Sequence, residues 1–276
     1  MINVELGKTG EKIPIIGQGT WGIKKRHKPE WYKQVKAALR RGIEIGMTHI
    51  DTAEFYGGGI SEKIVGEVIS GFRRDDLFIT SKIFPGHIGE NSMRKAIDKS
   101  LKRLGISHLD LYLVHWPSFI LGSKIPKHMR VMEAALNEGK TRYIGVSNYS
   151  IKQFKKGQEC LKKAELVTNQ LNINVGKQKH IHESLPYYKK EGVTLTAYSP
   201  LGHRGFNNLE GELKEKLNKV AEAHSATMQQ IAIAWLINHE NVITIPKAFQ
   251  IKHVESNCEA AEIKLSEDEI KLLYNL

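Results

Sequence analysis

The chain has 276 residues, 41% hydrophobic and 26% charged, with a formal net charge of +11. No stretch reaches the roughly 18 uninterrupted apolar residues of a membrane helix, and the opening MINVELGKTGEKIP lacks the apolar core of a signal peptide. A cytoplasmic protein with no membrane partner is expected.

Cys160 and Cys258 stand far apart, which argues against a disulfide framework and a thiolate zinc site, and His180 with His182 is the only close histidine pair. No metal is expected. The basic residues come mainly as doublets along helical stretches, such as Arg40-Arg41 and Lys189-Lys190, so solvated helix faces account for most of the charge and no nucleic-acid partner is expected. The densest run, Lys24-Lys25-Arg26-His27-Lys28, suits attraction of a small anionic ligand as well as it suits a polymer.

In chain order, Val4 to Ile13 alternates around a Gly-containing turn and reads as a hairpin able to plug one end of a barrel. Short apolar or β-branched runs follow at 13–16, 47–50, 77–80, 109–114, 143–146, 166–169, 193–197 and 242–245. Between and after them lie amphipathic stretches at 31–45, 61–69, 92–104, 127–136, 151–161, 181–190, 228–238 and 253–262, with an extra one at 213–223. Eight βα units without a linker predict a (β/α)8 TIM barrel in one domain, 1–276, with an N-terminal hairpin and extra helices. A doubly wound open sheet is the runner-up, disfavoured because Gly17-Gln18-Gly19-Thr20-Trp21-Gly22 does not have the dinucleotide-loop spacing.

In such a barrel the C-terminal strand ends converge on one mouth, so polar residues there meet in space. They are Asp51 and Tyr56, Lys82, His115, Ser147 and Asn148, Gln170, Tyr198 and Ser199, and Lys247. Each alone has an ordinary explanation as a cap, a solvated charge or loop packing. Together they are harder to dismiss, because an ammonium ending the apolar strand FITSK must be neutralised, and Asp51 is the available carboxylate. A phenol has an ordinary pKa of about 10, and Lys82 is expected to lower it enough to make Tyr56 a proton donor. With His115 holding a substrate oxygen, the set suits protonation of a carbonyl while a borrowed nicotinamide delivers hydride.

The motifs Gly17-Gln18-Gly19-Thr20-Trp21, Ile50-Asp51-Thr52-Ala53 with Tyr56, Ile79-Thr80-Ser81-Lys82, Leu109 through Val114-His115-Trp116-Pro117, Ile144-Gly145-Val146-Ser147-Asn148, Asn169-Gln170, Ala197-Tyr198-Ser199-Pro200-Leu201 and Ile245-Pro246-Lys247 resemble the aldo-keto reductase family over nearly the whole chain. In size and motif order the resemblance is to the shorter prokaryotic members, including diketogluconate reductases. It implies NAD(P)H-dependent reduction of aldehydes and ketones, with a catalytic tetrad of Asp51, Tyr56, Lys82 and His115. It places the nicotinamide on Ser147, Asn148, Gln170 and Tyr198, the pyrophosphate near Ser199 and Leu201, and the adenosine end on Lys247, His253 and Asn257.

The family's usual Lys-Ser and downstream Arg are here Lys247-Ala248 and His253, which weakens but does not remove the expected NADPH preference and leaves NADH usable. Trp21, Phe55, Trp116 and Phe119 fall where the family lines an apolar pocket. The family's long C-terminal flap is expected to be reduced or absent, giving an open pocket for small carbonyl substrates. The resemblance also implies a monomer. Two other readings are a nucleotide-binding sensor with slow turnover and a hydrolase pairing Asp51 with Glu54.

Overall fold

The computed structural model describes residues 1–87, 89–117, 124–202, 206 and 209–274. An antiparallel hairpin, β1 (Asn3–Glu5) and β2 (Lys12–Pro14), comes first, with Val4 opposite Ile13. Eight parallel strands follow: β3 (Gln18–Gly19), β4 (His49–Asp51), β5 (Phe78–Ile83), β6 (Leu109–Val114), β7 (Thr141–Ser147), β8 (Leu166–Asn172), β9 (Thr194–Tyr198) and β10 (Val242–Thr244). They pair in sequence order, and parallel bridges Ile16 to Thr244 and Gly19 to Lys247 join the two ends, with Gly17 N donating to Thr244 O at 2.8 Å and Gly19 N to Pro246 O at 3.0 Å. The sheet is therefore a closed (β/α)8 barrel with no free edge.

Helices α1 (Pro29–Glu44), α2 (Ile60–Ile69), α3 (Glu90–Leu104), α4 (Ile125–Asn137), α5 (Ile151–Glu159), α6 (Lys179–Glu183), α7 (Leu185–Glu191), α8 (Glu212–Ala223), α9 (Met228–Ile237), α10 (Ile251–Glu259) and α11 (Glu267–Leu272) surround it. Their starts follow local chemistry. Pro29 sits in the first turn of α1, where no N–H is needed, and Ser150–Gln153, Thr227–Gln230 and Ser266–Glu269 form capping boxes. After Gln229 and Gln230, helix α9 is apolar on every face because β10, α8, α10 and the segment after α10 cover it, and residues 231–237 are all buried.

The hairpin closes the N-terminal end as expected. Leu6 and Ile13 are buried against Leu111, Val167 and Ile243, and Gly7 N bonds the hydroxyl of Thr194, which opens β9. Three local expectations change. The run at 13–16 is not the first barrel strand: its start pairs with β1, while Ile15 and Ile16 bond β10 on the way to β3. The helix expected at 181–190 is two short ones broken at Ser184, where Pro186 begins a new first turn. A further helix, α11, follows the last expected one. Among the described residues no helix is long and apolar enough to cross a membrane.

Candidate active site

Strands β5 and β6 are buried along their whole length, so a charge at the end of either needs a partner. Lys82, fully buried, donates from Nζ to Asp51 Oδ1 at 2.5 Å, to Oδ2, to Thr52 O at 2.9 Å and to Tyr56 Oη at 3.2 Å. Asp51 ends β4 and is 1% exposed, and Gln170 Nε2 from β8 donates to its Oδ1 at 3.1 Å. Burial raises the Asp51 carboxyl and lowers the Lys82 ammonium, while their mutual attraction opposes both. Wherever the shared proton sits, the pair is neutral as a whole.

The backbone beneath them is braced by hydroxyls: Thr52 Oγ1 donates to Ser61 Oγ at 2.9 Å, Ser61 to Thr20 Oγ1 at 2.8 Å, and Thr20 to Asp51 O at 2.9 Å. Tyr56 lies beyond Ala53, Glu54 and Phe55, and the chain turns behind it through Gly57, Gly58 and Gly59, all at positive φ. Contrary to the expectation that Lys82 would depress it, the Tyr56 phenol is pushed well above its ordinary value, by burial first and then by the negative charge of Asp51 and by Tyr198. The reason is that Lys82 is already matched to Asp51, so little net positive charge reaches the phenol. Tyr56 is held as a neutral O–H.

His115 follows β6 directly. It is 4% exposed, stacked on Trp116 with centroids 3.5 Å apart, and edge-on to Tyr56 at 5.6 Å. Burial and then Lys82 depress its pKa to about 2, so the ring is neutral and carries one N–H. Its Nδ1 is buried without a hydrogen-bond partner among the described residues.

Asp51, Tyr56 and His115 line a cavity of about 350 Å³ together with Trp21, Trp116, Ser147, Asn148, Gln170, Tyr198, Ser199, Leu201 and Lys247, so the strand-end residues do meet. Asn148 and Ser199 both have positive φ there, 62° and 52°. Lys247 Nζ lies 5.2 Å from the Trp21 ring centroid and 5.6 Å from that of Phe249, and its pKa is lowered by burial and then by Lys24. The basic loop is tied to this end: His27 stacks on Trp31, Trp31 meets Phe249 edge-on, and Gln34 Nε2 donates to Phe249 O at 2.7 Å.

Several expected residues stand apart. Phe55 is 52% exposed and does not line the cavity, but it stacks on Phe84 at 4.9 Å and meets Trp116 edge-on. His253 is exposed in the first turn of α10 and Asn257 is buried one turn later, and neither lines the cavity. Phe119 lies outside the described residues.

Other contributors were missed by sequence reasoning. Gly19, Thr20, Pro200, Gly202, Ile245 and Pro246 line the cavity, and for all but Gly202 the signal was membership of the same motifs as their neighbours. Glu54 is no second acid: its Oε1 accepts from Phe84 N at 2.6 Å and pairs with His87 Nε2 at 2.9 Å. That removes the hydrolase reading. Among the described residues no three His, Cys, Asp or Glu side chains gather as a metal site.

With this geometry in hand, the family model described as Aldo/keto reductase family matches residues 15–276. This chain belongs to that family. The methylglyoxal reductase YeaE of Escherichia coli is 36% identical over 263 residues, covering 95% of this chain and 90% of that protein. A thermostable aldo-keto reductase crystallised with the inhibitor epalrestat superposes with a TM-score of 0.92 at 39% identity, covering 99% of this chain and 98% of that one. A Klebsiella pneumoniae aldo-keto reductase crystallised with NADPH gives 0.88 at 34% identity, covering 99% and 94%. The chain is an oxidoreductase of this family, and the nucleotide-sensor alternative finds no support among these relatives.

Proposed function

We propose that this aldo-keto reductase, acting as a single domain, reduces small aldehydes and ketoaldehydes to alcohols with NADPH and Tyr56 as proton donor. The observation that carries the reading is the direction of the hydrogen bond between Lys82 and Tyr56. Lys82 Nζ donates, the phenol oxygen accepts, and the phenol's own proton is left for the cavity that Tyr56 lines.

The residues present fit a nicotinamide dinucleotide: hydroxyl and amide groups of Ser147, Asn148 and Gln170 line the same cavity as the aromatic face of Tyr198 and the cation of Lys247. When bound, NADPH supplies the hydride. His115, neutral, donates its one N–H to the carbonyl oxygen and orients it. Tyr56 gives that oxygen its proton as the carbonyl carbon becomes an alcohol carbon, and the resulting phenolate oxygen keeps the hydrogen bond from Lys82 Nζ until solvent returns the proton. Lys247, with Lys24 close enough to repel it, suits the cofactor's phosphates, and bound anion would relieve that repulsion. Ketoaldehydes as substrates are supported by the methylglyoxal reductase among the relatives.

The test is a nicotinamide absorbance assay with methylglyoxal and a panel of aldehydes. Tyr56→Phe is expected to keep cofactor affinity and to lose kcat by about 100-fold or more, the scale of general acid catalysis. Unchanged turnover would sink the proton-donor role.

A further inference from the structure

We propose that the hydroxyl of Tyr198 is a positioning group that sets His115 through the side chain of Asn148. The inference rests on the reading of His115 as the group that orients the carbonyl.

Among the described residues the His115 ring shows no polar tether: Nδ1 is buried without a partner, and the ring contacts are the stacked face of Trp116 and the edge-on rings of Phe55 and Tyr56. Its placement therefore depends on those rings and on its backbone. His115 N donates to Ile83 O at 3.1 Å, and His115 O accepts from Asn148 Nδ2 at 3.1 Å. The first bond belongs to the parallel ladder. The second comes from a side chain that could turn over.

An amide side chain presents a donor on one end and an acceptor on the other, and rotating it by half a turn exchanges them. Turned over, Asn148 would set its oxygen against the His115 carbonyl. At the far end Tyr198 opposes this: Tyr198 Oη donates to Asn148 Oδ1 at 2.8 Å. A phenol can also accept, so its direction must be fixed as well. Ser147 fixes it: its hydroxyl proton goes to Gln170 O at 2.9 Å, so Ser147 Oγ accepts from Asn148 Nδ2 at 3.0 Å, Asn148 Oδ1 is left facing the phenol, and the phenol must donate. The bonds then run one way from the phenol: Tyr198 to Asn148, and Asn148 to His115.

The backbone of Asn148 is at φ 62°, a conformation that persists only where the surroundings hold it. The ring proposed to face the nicotinamide and the imidazole proposed to face the substrate are thus registered to each other by one amide.

Tyr198→Phe keeps the ring and removes the hydroxyl. The expected result is a cofactor Kd, from tryptophan fluorescence, within about twofold of the parent, a kcat about five- to tenfold lower, as for one lost neutral hydrogen bond, and shifted His115 ring resonances in the cofactor-free, 15N-histidine-labelled protein. In an Asn148→Gly background, where glycine tolerates the positive φ, removing the hydroxyl should change neither kcat nor the His115 resonances further. Unchanged kcat and His115 resonances in Tyr198→Phe overturn the proposal, as do losses that multiply in the double variant or a kcat loss matched by weaker cofactor binding. The underlying reading fails separately: if His115→Gln turns over aldehydes like the parent, His115 does not orient the carbonyl, whatever the resonances show.

Discussion

Lys82 is the residue on which the site turns, because each of its ammonium protons has a protein acceptor in Asp51, Thr52 or Tyr56. A buried ion pair is a weak source of stability, yet breaking one partner leaves an uncompensated charge worth about 3–5 kcal/mol. Lys82→Met is therefore expected to lower the melting temperature markedly, and Lys82→Met with Asp51→Leu to recover much of that loss while activity stays absent in both. A double variant no more stable than the single one would mean that the pair is kept for stability. That Asp51, Tyr56, Lys82 and His115 come together at one barrel mouth was legible in the sequence, because strand ends converge whatever their separation. Their electrostatics was not. The sign of the Tyr56 shift depends on how completely Asp51 matches Lys82, and the bonds of Glu54 to Phe84 and of Tyr198 to Asn148 are long-range facts that no local pattern encodes.

At the scale of elements, the strands with long apolar runs, β6 above all, stand where periodicity put them, since burial on both faces leaves little alternative. The first strand was misplaced because Pro14 ends a hairpin strand and a two-residue strand carries almost no pattern of its own. What makes β3 recognisable is closeness of approach. A Cβ on Gly19 would lie 2.6 Å from Ile245 O, across the seam between β3 and the chain leaving β10. Gly19→Ala is expected to cost about 1–3 kcal/mol, the usual price of overpacking, seen as a lower melting temperature, and to weaken cofactor binding because Lys247 lies on the displaced side. Full stability in that variant would show that the seam can yield. The break between α6 and α7 was readable from Pro186, whereas α11 is short and polar and was not distinguished from loop.

For the whole molecule, acidity is the condition that opposes folding. Burial holds His49 near a pKa of about 3, His115 near about 2 and His128 near about 4, all below the ordinary value of 6.5. Between these values and 6.5 the unfolded chain binds protons that the folded one refuses, so stability falls as pH drops through that window. Asp51, raised by burial, acts in the opposite sense, but burial lowers His180 and His239 as well, so the histidines outnumber it. The melting temperature is thus expected to decline steadily from about pH 6.5 towards pH 4, and a flat profile over that range would contradict neutral buried histidines. The seam has a different consequence, for the order of assembly. Ile16 with Thr244 and Gly19 with Lys247 are contacts between regions near opposite ends of the barrel sequence, the kind that form late because the intervening chain must first be gathered. The cavity straddles that seam, with Thr20 and Trp21 on one side and Pro246 and Lys247 on the other. A growing chain that has already brought Asp51, Lys82 and His115 together would still lack one wall of its cavity until β10 is in place, so the polar cluster forms before the space it faces is closed.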